Sequence, residues 1–482
     1  MKVSPSIVWF RIDLRLADNP ALQAAIKRGG AVIPVFIYAP EEEEPWSPGG
    51  ASRWWLHQSL ASLDASLREI DSRLIIRRGP TFGSMRALLQ ETGAGAVFWN
   101  RRYEPAVIER DARIKEALHA DGLVVESFNG ALLNEPWAIQ NQSKKPFQVF
   151  TPYWRNCLAK PAPGNPLPKP RNLSSPNVWP KTLQLDALEL EPKMNWVEGI
   201  RAAWHPGEAG AHERLNQFLK NALEDYADAR NLPDRRGTSR LSPHLHFGEI
   251  SPRQIWHAVR RDALARNISE GEWRASQFIT EIGWREFAHH LLYHFPHTPT
   301  KPLRAEFKRF PWRKNAAVLK AWQKGHTGYP IVDAGMRELW RTGWMHNRVR
   351  MIVASFLVKD LLLSWQEGAR WFWDTLVDAD LAQNTLGWQW TAGCGADAAP
   401  YFRVFNPVSQ GEKFDPAGEY ARKWCPEIAK LPDKWLHRPW EAPTEVLGCA
   451  GVKIWKTYPE RIVSHAIARE VALEAFSKLK TL

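Results

Sequence analysis

What most constrains this chain is a change of hydrophobic period partway along it. Short runs rich in Val, Ile, Phe and Trp at residues 7–10, 32–38, 74–76, 96–99 and 124–128 alternate with amphipathic stretches at 19–28, 51–70, 82–92 and 107–119. Strands separated by helices need crossover connections, and crossovers leave the strands parallel with helices covering the sheet. The rhythm predicts an α/β doubly wound N-terminal domain with a parallel sheet. Residues 160–192 then carry KPAPGNPLPKPR and further prolines, which fix φ and remove amide donors, so this stretch is expected to run extended as a connector. Beyond residue 195 strand signals nearly vanish, and 208–229, 273–293, 334–342 and 344–363 read as helices of a mostly α-helical C-terminal domain. The expected boundaries are 1–131, 132–200 and 201–482.

A chain of 482 residues exceeds what one ordinary core organises, which again asks for more than one domain. Its net charge of +12 would attract a polyanion, without choosing between nucleic acid and an anionic membrane. The opening MKVSPSIVWFRIDLR places arginines and Asp13 where a secretory leader needs an apolar run, and no later stretch is apolar enough to span a bilayer. The expectation is a soluble, cytoplasmic protein. Four cysteines without a CxxC pair argue against structural zinc. Neither GxGxxG nor GxxxxGK[ST] occurs, so the usual dinucleotide and P-loop signatures are missing. The 26 tryptophans outnumber both the 20 phenylalanines and the 9 tyrosines, which invites a stacking or redox use, although large aromatics chiefly fill cores.

Chemistry concentrates in the second half. Tyr226 precedes GTSRLSPHLHFGEISP at 237–252, where Thr238, Ser239 and Ser242 offer hydroxyls and a helix start at Ser242 could receive phosphate oxygens; an ordinary helix cap is the competing reading. In TEIGWREF, helical spacing puts Glu281, Trp284 and Arg285 on one face. In GWMHNRVRM, Trp344, Asn347, Arg348 and Met351 share an i, i+3, i+4, i+7 stripe that is too polar for plain core, which suggests a lined cavity. Asp378, Asp380, Asn384, Trp388 and Trp390 follow in DADLAQNTLGWQW, ahead of a loop at 403–406. His290 and His294 have the spacing of a metal pair, but HExxH and a third ligand are absent, and no metal is expected.

The succession TSRLSP, EIGWREF, KGHTGYPIVDAGMRELWRTGWMHNRVRM and DADLAQNTLGWQW resembles the FAD-binding region of the photolyase and cryptochrome family. The likeness extends from IVWFRIDLRLADNPAL near the start to FNPVSQGEKFD and beyond. It implies an antenna-binding N-terminal domain and a helical FAD-binding domain. FAD, folded into a U, would lie among Tyr226, Thr238, Ser239, Arg240, Leu241, Ser242, Arg285, Asn347, Asp378, Asp380 and Asn384, with Asn384 near flavin N5. Photolyases commonly have Asn at that position and plant cryptochromes Asp; a neutral amide tolerates a second negative charge on the flavin that a carboxylate would oppose.

By the same resemblance, Glu281, Trp284, Asn347, Met351 and Trp390 would line a pocket for a flipped pyrimidine dimer, and Arg230, Arg348, Arg403 and Lys413, which match or neighbour DNA-facing positions, would meet DNA phosphates. Trp388, Trp365 and Trp312 match the family's electron-transfer chain from flavin to solvent. The implied activity is light-driven repair of cyclobutane pyrimidine dimers by electron transfer from excited reduced FAD, in a deoxyribodipyrimidine photo-lyase most like the bacterial class III enzymes. The alternatives are a cryptochrome receptor, which in plants usually carries a long C-terminal extension, and a (6-4) photolyase, which would generally show a His-rich element in place of WMHNRVRM. An iron–sulfur relative is disfavoured because Cys394 sits in the flavin motif. The antenna expected is methenyltetrahydrofolate, with a deazaflavin or none as alternatives, and Trp54, Asn100, Glu104 and Lys301 are its candidate contacts. The remaining expectations are a monomer acting on DNA, without membrane attachment, at the bacterial nucleoid.

Overall fold

The computed structural model describes residues 3–397 and 403–480. Two compact units emerge, and they interleave along the chain: Met1–Lys220, Ser239–Pro296 and Val377–Asp380 form the first, Asn221–Thr238, His297–Leu376 and Leu381–Leu482 the second. The sequence suggested consecutive blocks at 1–131, 132–200 and 201–482, because a reading along the chain cannot see segments that return to an earlier unit.

The first unit is built on β1 (Ser6–Phe10), β2 (Val32–Tyr38), β3 (Ile75–Arg78), β4 (Ala96–Asn100) and β5 (Val124–Phe128), all parallel, in the order β3-β2-β1-β4-β5. Ile7 pairs with Ile33 on one side and with Val97 on the other. Strands β1, β2 and β4 are buried along their whole length, which is why they read as unbroken apolar runs rather than alternating ones. Trp9 and Trp99 pack edge to face at 5.7 Å inside this core. Chain order reverses between β1 and β4, and the crevice beyond the carboxyl ends of such strands is where open α/β sheets bind ligands.

The proline-rich stretch does not hang free between units. Ser174 accepts from the Val32 amide at 2.8 Å, the Leu173 amide donates to Ile70 at 3.1 Å, and the Leu183 amide donates to Ile76 at 3.0 Å. A chain short of amide donors is thus laid along the sheet domain as an extended strap. Farther on, the helix Gln277–His294 carries the EIGWREF motif. The sequence suggested a start at 273, but Ser276 caps the helix by accepting from the Ile279 amide, and a separate turn, Glu270–Arg274, precedes it.

The second unit is helical, with helices Pro330–Thr342, Asn347–Ser355, Trp365–Thr375, Leu381–Ala392, Pro407–Phe414 and His465–Lys480 among its members. The continuous helix expected at 344–363 is not formed. Gly343, at φ 66, ends the preceding helix; the His346 side chain then caps a new one at Asn347, and after Ser355 the chain widens into a π-helical turn, Phe356–Asp360. Trp344 therefore lies before the helix and is buried, outside the stripe assigned to it. The expected helix at 208–229 likewise divides into Glu208–Asn221 and Tyr226–Ala229. No helix among the described residues is long and apolar enough to cross a membrane.

Candidate functional site

In the first unit, a cavity of about 20 Å³, the space of one ordered water, opens at the reversal point of the sheet. Asp13, beyond β1, and Asn100, the last residue of β4, border it, and Tyr103, Glu104, His246, Arg285, His289 and Asp380 complete much of its wall. Asp380 lies 3.7 Å from His246 and 3.5 Å from His289. Burial alone would raise its pKa, but His289, His246 and Arg285 together hold the carboxyl well below the usual range, so it is a fixed anion. Burial in turn lowers the pKa of His289, against the pull of Asp380. Two of the predicted cofactor residues, Arg285 and Asp380, therefore share one cluster.

The helix Gln277–His294 explains the EIGWREF stripe. Its Ile282, Gly283, Glu286 and Phe287 are buried, while Glu281, Trp284 and Arg285 are only partly covered. Arg285 donates to the Ala131 carbonyl at 2.8 Å, Glu281 accepts from Gln277 at 2.7 Å, and the Trp284 ring stacks on Phe150 with centroids 3.8 Å apart. Glu286, inside, accepts from the Leu133 and Asn134 amides at 2.9 and 3.0 Å. His290 accepts from the Phe147 amide and donates to Pro136, and His294 donates to the same carbonyl at 3.1 Å. The two histidines set aside as a metal pair thus hold one connecting loop.

In the TSRLSP motif, Arg240 takes a left-handed φ of 52 and its guanidinium lies 4.7 Å over the Trp204 ring. Leu241 is buried, Ser242 is exposed, and the helix that begins there has only five residues, so its dipole is small. In the second unit, Gly237 packs against Ala229, where a Cβ would lie 2.5 Å from the carbonyl oxygen. This close approach folds the loop between them back on itself and brings Thr238 beside the short helix of buried Tyr226.

The second unit also assembles the cations and tryptophans. On the helix Asn347–Ser355, Val349, Ile352 and Val353 are buried whereas Asn347 is exposed and Arg348 and Met351 are half-buried. Arg348 donates to Asn231 at 2.6 Å, lies 3.8 Å from the Met351 sulfur and 4.4 Å over the Phe414 ring. Lys413 lies 5.2 Å over the same ring, and Arg230 lies 5.7 Å over Tyr226. Burial and then the charge of Arg230 lower the Arg348 pKa, so like charges are gathered here rather than dispersed. Arg403 is exposed at the head of the loop preceding Pro407–Phe414.

Asn384 donates to the Ala369 carbonyl at 3.0 Å, tying the helix Leu381–Ala392 to Trp365–Thr375. Gly368, three residues after Trp365, lies so close to Trp388 that a Cβ would come within 2.0 Å of the indole. The Arg313 amide donates to Leu362 at 2.8 Å, which joins the segment of Trp312 to the one entering Trp365. Trp388 and Trp365 are buried and Trp312 is partly exposed, so the three segments run from interior towards surface. Trp390 is half-buried on the same helix as Trp388, and Asp378 is buried in the first unit.

These residues fit the flavin dinucleotide that the resemblance implies. In the first unit, the hydroxyls of Ser239 and Ser242 and the guanidinium groups of Arg240 and Arg285 are donors of the kind a diphosphate takes; in the second, Thr238 adds a hydroxyl, and the Trp388 indole N–H is buried without a hydrogen-bond partner among the described residues. The antenna candidates are less coherent. Asn100 and Glu104 share the small cavity, but the Asn100 amide is engaged with Asp13 at 2.6 Å and Asn19 at 2.8 Å, and Glu104 pairs with Arg102 at 2.9 Å. Trp54 is 1% exposed inside the first unit's core, and Lys301 belongs to the second unit, where its carbonyl accepts from Gln389. Sequence reasoning passed over His246, His289 and Phe150. The first lies in the HLHF run after TSRLSP and the second stands four residues after Arg285, so both had a local signal; Phe150 meets Trp284 only through the fold.

Residues 6–171 match the family described as DNA photolyase, and residues 278–478 match the FAD binding domain of DNA photolyase. The chain is 50% identical to the deoxyribodipyrimidine photo-lyase of Agrobacterium fabrum over 481 residues, covering 100% of this chain and 99% of that one. It is 43% identical to cryptochrome-1 of Arabidopsis thaliana over 98% of its own length and 70% of the relative's. The crystal structure of a bacterial class III photolyase from Agrobacterium tumefaciens superposes with a TM-score of 0.96 at 50% identity, over 100% of this chain and 99% of that one. With the parallel sheet, the helical FAD-binding region and this full-length similarity in agreement, the chain belongs to the photolyase and cryptochrome family.

Proposed function

We propose that this protein is a deoxyribodipyrimidine photo-lyase that uses light to repair cyclobutane pyrimidine dimers in DNA. The observation that carries the reading is the cationic cluster on the helix Asn347–Ser355, where Arg348 is held by Asn231 and Phe414 beside Arg230 and Lys413. Gathering like charges costs energy, and a polyanionic backbone offsets that cost. A folded protein with no anionic partner would gain nothing from it.

Bound among Tyr226, Ser239, Ser242, Arg285, Asp380 and Asn384, reduced FAD would supply light-driven one-electron chemistry for cleaving the two inter-base bonds, with no net redox change. The protein's own groups do the rest. Arg230, Arg348, Arg403 and Lys413 bind phosphates and hold the duplex in register. Trp284, Trp390 and Met351 provide apolar surface for the everted bases, whose poor stacking makes eversion cheaper than for an intact step. Glu281 and Asn347 hydrogen-bond base edges. The Asn384 amide adds no negative charge beside the flavin. Trp388, Trp365 and Trp312 carry electrons inwards to restore the reduced state. The reading includes a monomer at the nucleoid of a bacterial cytoplasm and a methenyltetrahydrofolate antenna, with a deazaflavin or no antenna as the alternatives.

The test is to illuminate the purified, reduced protein with oligonucleotides containing either a cyclobutane dimer or a (6-4) photoproduct, against dark controls. Light-dependent recovery of bases from the cyclobutane dimer is expected. Repair of neither lesion would favour a receptor, and repair of the (6-4) product alone would favour the rival enzyme.

A further inference from the structure

We infer that Lys359 is a positioning residue that holds Arg403, and with it the loop at 403–406, in place for contact with the nucleic-acid backbone. The inference rests on the reading of Arg403 as a DNA contact. Lys359 lies on the π-helical turn Phe356–Asp360, directly after the helix that carries Asn347, Arg348 and Met351. It is 5% exposed, and its ammonium donates to the Arg403 carbonyl oxygen. Burial pulls its pKa down to about 7, with Asp360 opposing the fall and the Arg403 charge adding to it, and the amine donates to the carbonyl in either protonation state.

The geometry shows what the ammonium is for. Ser355, one turn earlier, accepts from the Phe405 amide at 3.4 Å, and Asn406 accepts from the Val408 amide at 3.0 Å to begin the helix Pro407–Phe414. The loop is therefore fastened at Arg403, Phe405 and Asn406 in succession. Its far end leads to Lys413 and Phe414, the ring that supports Arg348. A wider π turn rotates the residues that follow it relative to a regular α-helix, and here the residue on that turn is the one that reaches Arg403. Its neighbour Asp360 is engaged at 2.5 Å by His465. One buried lysine thus ties the helix of Asn347, Arg348 and Met351 to the loop of Arg403, so that Arg348 and Arg403 keep a common spacing.

The test compares Lys359→Met and Lys359→Arg with the wild-type holoprotein. Hydrogen exchange of the peptide spanning 403–414 is measured without DNA, and steady-state repair kinetics are measured on a dimer-containing oligonucleotide. Faster exchange in Lys359→Met is expected, with KM raised about tenfold, kcat within about twofold of wild type, and partial rescue by Lys359→Arg. Bound FAD per chain reports that the variant has folded; if Lys359→Met does not retain it, Lys359→Gln takes its place. Wild-type exchange and wild-type KM in the variants would overturn the inference, as would a fall in kcat with KM unchanged. Faster exchange in a protein whose wild type binds no dimer-containing DNA would uphold the clamp and overturn the proposed function instead, so the two failures are distinguishable.

Discussion

Glu286 and His290 stand one turn apart on the helix Gln277–His294 and are driven in opposite directions by the same burial. Desolvation raises Glu286 to about 7, outweighing Arg285 and the two amides it accepts from, and lowers His290 to about 4. The folded carboxyl keeps its proton above its ordinary value near 4.5, so its contribution is greatest at low pH and is lost as pH rises to about 7. The folded imidazole gives up its proton below its ordinary 6.5, so its contribution is present above that value and is lost as pH falls to about 4. Between these limits the two slopes oppose. Removing the carboxyl with Glu286→Gln should expose the imidazole's slope: the variant should lose stability on the order of 2 kcal/mol as pH is lowered from 6.5 towards 5, read as a falling Tm, while the wild type stays flatter. A variant profile parallel to wild type, followed by circular dichroism, would refute the opposition. Packing is as exacting at Gly368, where a methyl group would collide with Trp388. Gly368→Ala should cost about 1–3 kcal/mol through overpacking, read as a lower Tm, and an unchanged Tm would mean the two helices separate freely.

At the scale of elements, function follows from pairs of helices that meet closely. Trp365–Thr375 and Leu381–Ala392 approach through Gly368 and are tied by Asn384 and the Ala369 carbonyl, which sets Trp388 against Trp322 and Phe372 at 6.2 and 5.0 Å. Trp388→Phe keeps the packing and removes the most readily oxidised ring. The expected result is loss of light-driven flavin reduction by at least about tenfold, with repair by chemically pre-reduced protein little changed. Stopped illumination followed by flavin absorbance measures the first, and undiminished photoreduction would place the electron path elsewhere.

For the whole molecule, the relevant quantity is the polyelectrolyte term. A net charge of +12 is diffuse, but the cluster of Arg230, Arg348 and Lys413 concentrates part of it. Log affinity for dimer-containing DNA should fall linearly with log salt, and Arg348→Gln should reduce the slope by about 0.9 as one phosphate contact is lost. Titration across a series of salt concentrations checks it; an unchanged slope would remove Arg348 from the interface.

The sheet was legible in the sequence because its evidence is local. Residues 32–38 and 124–128 were delimited as strands with the bounds that the structure shows, since a β-branched run between turn residues carries its own signal. The residues assigned to cofactor and lesion stood out in the sequence as motifs, and the half-exposed stripe of Glu281, Trp284 and Arg285 appeared as the helical spacing requires. Tertiary structure decided the rest, for a physical reason: a side chain's partner is chosen by packing across the fold, not by neighbours in the chain. Phe150 under Trp284, the strap bonded along the sheet, the break before Asn347 and the reach of Lys359 to Arg403 all join residues whose meeting no local pattern encodes.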